Sequence, residues 1–61
     1  MWVIARKADT STGVEYIKKY MSDKVTELFS EAQIYISEPT QEKADEFSEA
    51  LGGEFKVIKF M

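Results

Sequence analysis

The chain opens Met1-Trp2-Val3-Ile4-Ala5-Arg6-Lys7, an apolar run that does not alternate with polar residues before it turns basic. Strand side chains project to alternate sides, so Trp2 and Ile4 would point one way and Val3 and Ala5 the other. A strand apolar on both faces belongs inside a sheet, with a neighbour on each edge and cover on each side. The pattern therefore predicts a central strand over residues 2–7. Residues 8–13, Ala-Asp-Thr-Ser-Thr-Gly, have the composition of a hairpin loop and lack the Gly-Lys-Ser/Thr ending of a phosphate-cradling loop. Residues 14–20 then alternate. Val14, Tyr16, Lys18 and Tyr20 share one face, and Glu15, Ile17 and Lys19 the other, which predicts a half-exposed neighbour of the first strand.

Residues 21–24 read as a turn. Residues 25–29 fit a short strand or a turn of helix equally, because Val25, Leu28 and Phe29 suit both spacings. Ser30 could cap a single helical turn through Ala32. Ile34 and Ile36 opposite Tyr35 predict a short strand over residues 33–37. Pro39 stops it, Thr40 offers a hydroxyl cap, residues 41–51 contain no breaker, and Gly52 can end a helix in a left-handed conformation. In that helix Ala44, Phe47, Ala50 and Leu51 form one narrow apolar stripe, with Glu42, Asp45, Glu46 and Glu49 mostly off it. A last strand over residues 54–60 is expected on the free edge of the first, its direction left open. The expected fold is a single α+β domain over residues 1–61, with a three- to four-stranded antiparallel or mixed sheet and the one helix on one face.

Counting faces gives the functional lead. One helical stripe covers one side of such a sheet. The other side is either covered by residues 25–29 folding beneath it or left as an apolar, aromatic patch of the kind that marks interaction sites.

Composition narrows the function classes. A chain of 61 residues is marginal without a staple, and it has no cysteine to supply one. Without Cys or His there is no thiolate zinc site, no Cys nucleophile and no usual general base, so an enzyme is not expected, nor a metal or cofactor. No apolar run is long enough for a membrane span or signal peptide, so a soluble, cytoplasmic protein with no membrane partner is expected. The net charge of −3 argues against duplex-DNA binding. Its distribution is uneven: residues 27–54 carry −7 and the remainder +4, with Arg6, Lys7, Lys18, Lys19, Lys56 and Lys59 all in expected strands. The helix side should be negative and the sheet comparatively positive.

The candidate contacts follow. Trp2, Arg6, Tyr16, Lys18 and Tyr20 are the aromatic and basic residues of the sheet, suited to another protein or to a second copy of the chain. The alternative for the same residues is single-stranded nucleic acid, with bases stacked on the aromatic rings, although no RNP-type motif is present. Glu42, Asp45, Glu46 and Glu49, three and four apart, stand side by side and would offer an acidic surface to a basic partner. They lack the loop pattern of a calcium site.

The order of a hairpin, then Ala32-Gln33-Ile34-Tyr35, then Glu42-Lys43-Ala44-Asp45-Glu46-Phe47 and Leu51-Gly52-Gly53 before a short strand resembles small proteins encoded by tailed bacteriophages. The resemblance spans most of the chain. It implies a viral accessory or inhibitor protein that binds a host or phage macromolecule in the host cytoplasm, and it assigns no functional residue.

Overall fold

A computed structural model of the chain describes residues 1–61, the side chain of Ser22 excepted. Four strands, β1 (Trp2–Lys7), β2 (Val14–Lys18), β3 (Met21–Thr26) and β4 (Lys56–Lys59), form one antiparallel sheet in the order β3-β2-β1-β4. The apolar run at the start lies inside the sheet, as its two-sided pattern requires. β4 sits on its free edge and is antiparallel to it, with Val3 opposite Ile58 and Ile4 opposite Val57. The helix α1 (Gln41–Leu51) has the predicted limits, and the Thr40 hydroxyl accepts from the Lys43 N–H at 3.2 Å.

One face of the sheet packs on α1. Ile4, Ile17, Phe55 and Ala44 are fully buried there, with Val25, Tyr35, Phe47, Leu51 and Val57 around them. Ala44 supplies a side chain small enough for the helix to approach the strands closely. The return from α1 to β4 is stitched by side chains. Ser48 Oγ accepts from the Phe55 N–H at 2.7 Å, and Gln41 Nε2 donates to the Phe55 carbonyl at 3.3 Å. Both backbone groups of a buried residue are thus satisfied.

The fourth strand is not the expected one. Residues 21–24, read as a turn, are extended in β3, while residues 33–37, read as a strand, make a single isolated bridge, between Tyr35 and Trp2. Tertiary pairing accounts for both. The hairpin turn comes two residues earlier than expected, at Lys19 and Tyr20, with Tyr20 in a left-handed conformation at φ 65°, which returns the chain alongside β2. Further on, residues 31–35 occupy the fork where the N-terminal end of β1 and the C-terminal end of β2 separate. The Lys19 N–H donates to the Glu31 carbonyl, the Gln33 N–H to the Ile17 carbonyl, and Trp2 and Tyr35 exchange both backbone bonds at 2.8–2.9 Å. The last strand is also shorter than expected, beginning at Lys56 rather than at residue 54.

Of residues 25–29, Val25 and Thr26 complete β3 and Phe29 begins a 3-10 turn (Phe29–Glu31). Val25, paired with Ile17, faces the helix. Thr26 reverses the chain: its buried hydroxyl accepts from the Leu28 N–H at 3.1 Å and donates to Glu31 Oε1 at 3.0 Å. That bend carries Phe29 beneath the helix-free face.

Candidate functional site

On the helix-free face, alternation places Val3 and Ala5 of β1, Tyr16 and Lys18 of β2, and Lys56 and Ile58 of β4 on a common side. Val3 and Ala5 are buried there although no helix covers them. The cover is aromatic. Phe29 meets Tyr16 edge to face at 5.5 Å between ring centroids and Phe60 at 5.0 Å, with interplanar angles of 81° and 84°. These are the favoured quadrupolar geometries for ring pairs. The Glu31 carboxylate, held by Thr26, stands 4.0 Å from Lys18 Nζ and ties the 3-10 turn to β2.

The cover is incomplete. Phe29 remains 45% exposed, Ile58 42% and Phe60 37%, with Leu28 and Met1 exposed as well. Met1 lies beside Phe60, whose N–H donates to the Met1 carbonyl at 3.1 Å. Beside Ile58, a shallow groove is lined by Ala5, Lys7, Val14, Glu54 and Lys56. An apolar, partly aromatic surface is therefore bordered by lysines.

The five sheet residues singled out in the sequence do not meet on one surface. Trp2 and Arg6 share the helix face with Ile4, whereas Tyr16 and Lys18 point to the opposite side. Trp2 is half-buried, with Lys59 Nζ 5.8 Å from its ring centroid. Arg6 is consumed internally: Nε donates to Glu15 Oε1 at 2.9 Å, and Nη1 donates to the carbonyls of Leu51 and Gly52 at 3.0 and 2.7 Å. Tyr16 contributes one ring to the aromatic row, and Lys18 is paired with Glu31. Tyr20 stands apart at the β2–β3 turn, 93% exposed. The stacking platform expected for nucleic acid is thus divided between two faces.

Glu42, Asp45, Glu46 and Glu49 are all exposed on α1, and Asp45 accepts from Gln41 Nε2 at 3.0 Å. Among the described residues no group of three or more acids is arranged to hold a metal ion, and no helix is long and apolar enough to cross a membrane. Phe29, Ile58 and Phe60 are not among the contact residues that the sequence singles out. Cover by residues 25–29 is one of the two outcomes expected for this face, and Phe29 supplies it, while Val25 faces the helix instead.

No family model matches the chain, and neither a curated protein nor a solved structure does.

Proposed function

We propose that the chain is a small, non-enzymatic protein-interaction module that docks a partner protein on the helix-free face of its sheet. The observation that carries this reading is the row Tyr16, Phe29, Phe60, which closes the core yet leaves two of its rings more than a third exposed beside Ile58. Large apolar side chains gathered on one face and bordered by charge are the usual make-up of an interface core and rim. The lack of His and Cys supports a binding role over a catalytic one. A phage-encoded accessory or inhibitor protein acting in the host cytoplasm fits the same reading and accords with the resemblance carried by residues 32–35, 42–47 and 51–53.

The test is capture and mapping. Tagged chain is used to capture partners from a bacterial lysate beside two variants, Phe29→Ser with Ile58→Ser, and Glu42→Lys with Glu46→Lys. A purified captured protein is then mapped back by hydrogen exchange. Loss of capture in the first variant alone, with protection at residues 28–30 and 57–60, is expected. Loss in the charge-reversed variant alone would move the site to α1.

A further inference from the structure

We propose that the open edge of β4 accepts an extended segment of the partner as a fifth strand, and that this segment has an acid, apolar, apolar, acid core. The inference deepens the reading above and rests on it for the partner being a protein.

The sheet has two edges, and they differ. At β3 the register jumps from Ile17 opposite Val25 to Lys18 opposite Met21, a bulge that breaks the regular line of backbone groups. β4 has no such irregularity: its four residues pair in unbroken register with β1. The Phe60 N–H is turned toward Met1, so by antiparallel alternation Ile58 and Lys56 also turn their backbone groups to β1. Val57 and Lys59 turn theirs outward. No loop or side-chain hydrogen bond among the described residues takes up those groups. They form the template that strand addition uses, in which the main chain supplies affinity and alternate side chains supply specificity.

The side chains of β4 decide which strand fits. Lys56 and Lys59 lie on opposite faces of a strand that contains no acid. Two copies set edge to edge would bring four lysines to one seam with no acid in either strand to oppose them, the arrangement that protects natural sheet edges from self-pairing. The same lysines favour an acidic strand. One acid would face Lys56 on the helix-free side and another Lys59 on the helix side, and the two residues between them would lie against Val57 and Ile58. Lys56 is available for this, since its 3.3 Å pair with Glu54 joins two well-exposed side chains and contributes little. The added strand would also extend the apolar surface that starts at Ile58 and Phe60.

The probe is a blocked hexapeptide with a Glu-Val-Ile-Glu core flanked by threonines, titrated into isotope-labelled protein and followed by amide exchange. Exchange at Val57 and Lys59 is expected to slow about tenfold at saturation. A peptide with both Glu replaced by Lys should bind about tenfold more weakly, since two favourable cross-strand pairs become two unfavourable ones. Peptides N-methylated at the amides that would face β4 should not bind. In Lys56→Glu with Lys59→Glu the peptide preference should reverse. Shifts at Tyr16, Phe29 and Phe60 with unchanged exchange at Val57 and Lys59 would overturn the edge proposal while leaving the docking face intact. Equal peptide affinity in Phe29→Ser would support the edge and remove the aromatic row from the site. Lack of any response at millimolar peptide, or protection of the same amides by self-association, would overturn the proposal.

Discussion

The Arg6 guanidinium donates to the carbonyl of Gly52 at 2.7 Å across 46 positions of sequence, and so a residue of the central strand caps the C-terminus of the helix. The bond has a partner at Leu51, at 3.0 Å, so two of the carbonyls that a helix end leaves unsatisfied are taken up by a single fork. The cation also sits where the helix dipole is negative. Glu15 holds the other side of the fork at 2.8 Å, and the Phe55 ring lies 5.0 Å beneath the guanidinium carbon. No basic residue is present in the last turn of α1 itself, so this cation comes from the sheet.

Replacing Arg6 by Met keeps the stem and removes the fork. Bonds from a charged donor contribute about 1.5–3 kcal/mol each, but the group is partly solvated and the effects overlap, so a loss of about 2–3 kcal/mol is expected. A domain of this size without staples holds only about 3–5 kcal/mol. The urea midpoint of Arg6→Met should therefore fall by about 40% or more. Arg6→Lys should recover less than half of the loss, because an ammonium cannot reproduce the planar fork. A midpoint within a tenth of wild type for Arg6→Met would show that the cap contributes nothing.

Gly52 and Gly53 follow the helix with φ of 84° and 75°, but a methyl group would meet different surroundings at each. At Gly52 there is open space, so Ala costs only the backbone strain, about 1–3 kcal/mol for its φ and ψ. At Gly53 the new carbon would fall 2.8 Å from Arg6 Cδ, which pushes the capping side chain aside. In a double-mutant cycle with Arg6→Ala, which removes Cδ, the cost of Gly53→Ala should shrink markedly, while that of Gly52→Ala, whose methyl group meets no side chain, should change less. Equal coupling of both glycines to Arg6 would contradict this picture.

How much of this was legible in the sequence depends on whether the cause is local. The limits of α1 follow from Thr40, the stripe of Ala44, Phe47 and Leu51, and Gly52, all within one segment, and the two-sided run at Trp2 to Ala5 does place β1 inside the sheet. Met21 to Lys24 carries no strand pattern; it runs along β2 because the turn at Lys19 and Tyr20 sets Met21 opposite Lys18 and the chain rejoins the ladder at Val25 opposite Ile17. Conversely, Ile34, Tyr35 and Ile36 read as a strand, yet the segment is bent into the fork between β1 and β2 and leaves Ile36 83% exposed. Arg6 read as a surface contact because its partners, Glu15 apart, lie some 45 residues away. Phe29 was legible only as part of a segment that could fold beneath the sheet, because its ring partners Tyr16 and Phe60 come from both halves of the chain.

Ala44 is fully buried where α1 crosses the sheet, within the cluster of Ile4, Ile17 and Phe55. Enlarging it to Leu would push the helix off the strands and cost about 1–3 kcal/mol or somewhat more, as overpacking does. Ala50, exposed on the same helix, should accept Leu with a change within about 0.5 kcal/mol. Thermal unfolding of the two variants distinguishes the sites, and equal melting temperatures would mean that α1 does not rest on Ala44.

Burial raises the Tyr35 phenol above its ordinary pKa of 10.0, since the phenolate would lose hydration in the folded chain. Below pH 10 both states hold the proton and the folded state loses nothing. As pH rises past 10 the unfolded chain ionises first, and stability falls until the folded phenol also titrates. Tyr35→Phe removes this contribution, so its stability should decline less steeply than wild type as the pH rises above 10. Parallel declines in urea titrations across that range would refute the linkage.

Among the described residues Tyr20 is the one non-glycine residue with positive φ, at 65°, and it is 93% exposed. Left-handed backbone costs an ordinary L residue about 1–2 kcal/mol, and an exposed ring returns little packing. Glycine adopts the conformation freely but loses more backbone entropy on folding, so Tyr20→Gly should gain about 0.5–1 kcal/mol in urea unfolding. Strain retained at an exposed aromatic is the pattern expected of a residue kept for contact rather than for the fold. If Tyr20 touches a partner, the glycine variant will be the more stable protein and the weaker binder. Destabilisation by Tyr20→Gly would instead place the ring among the supports of the β2–β3 turn.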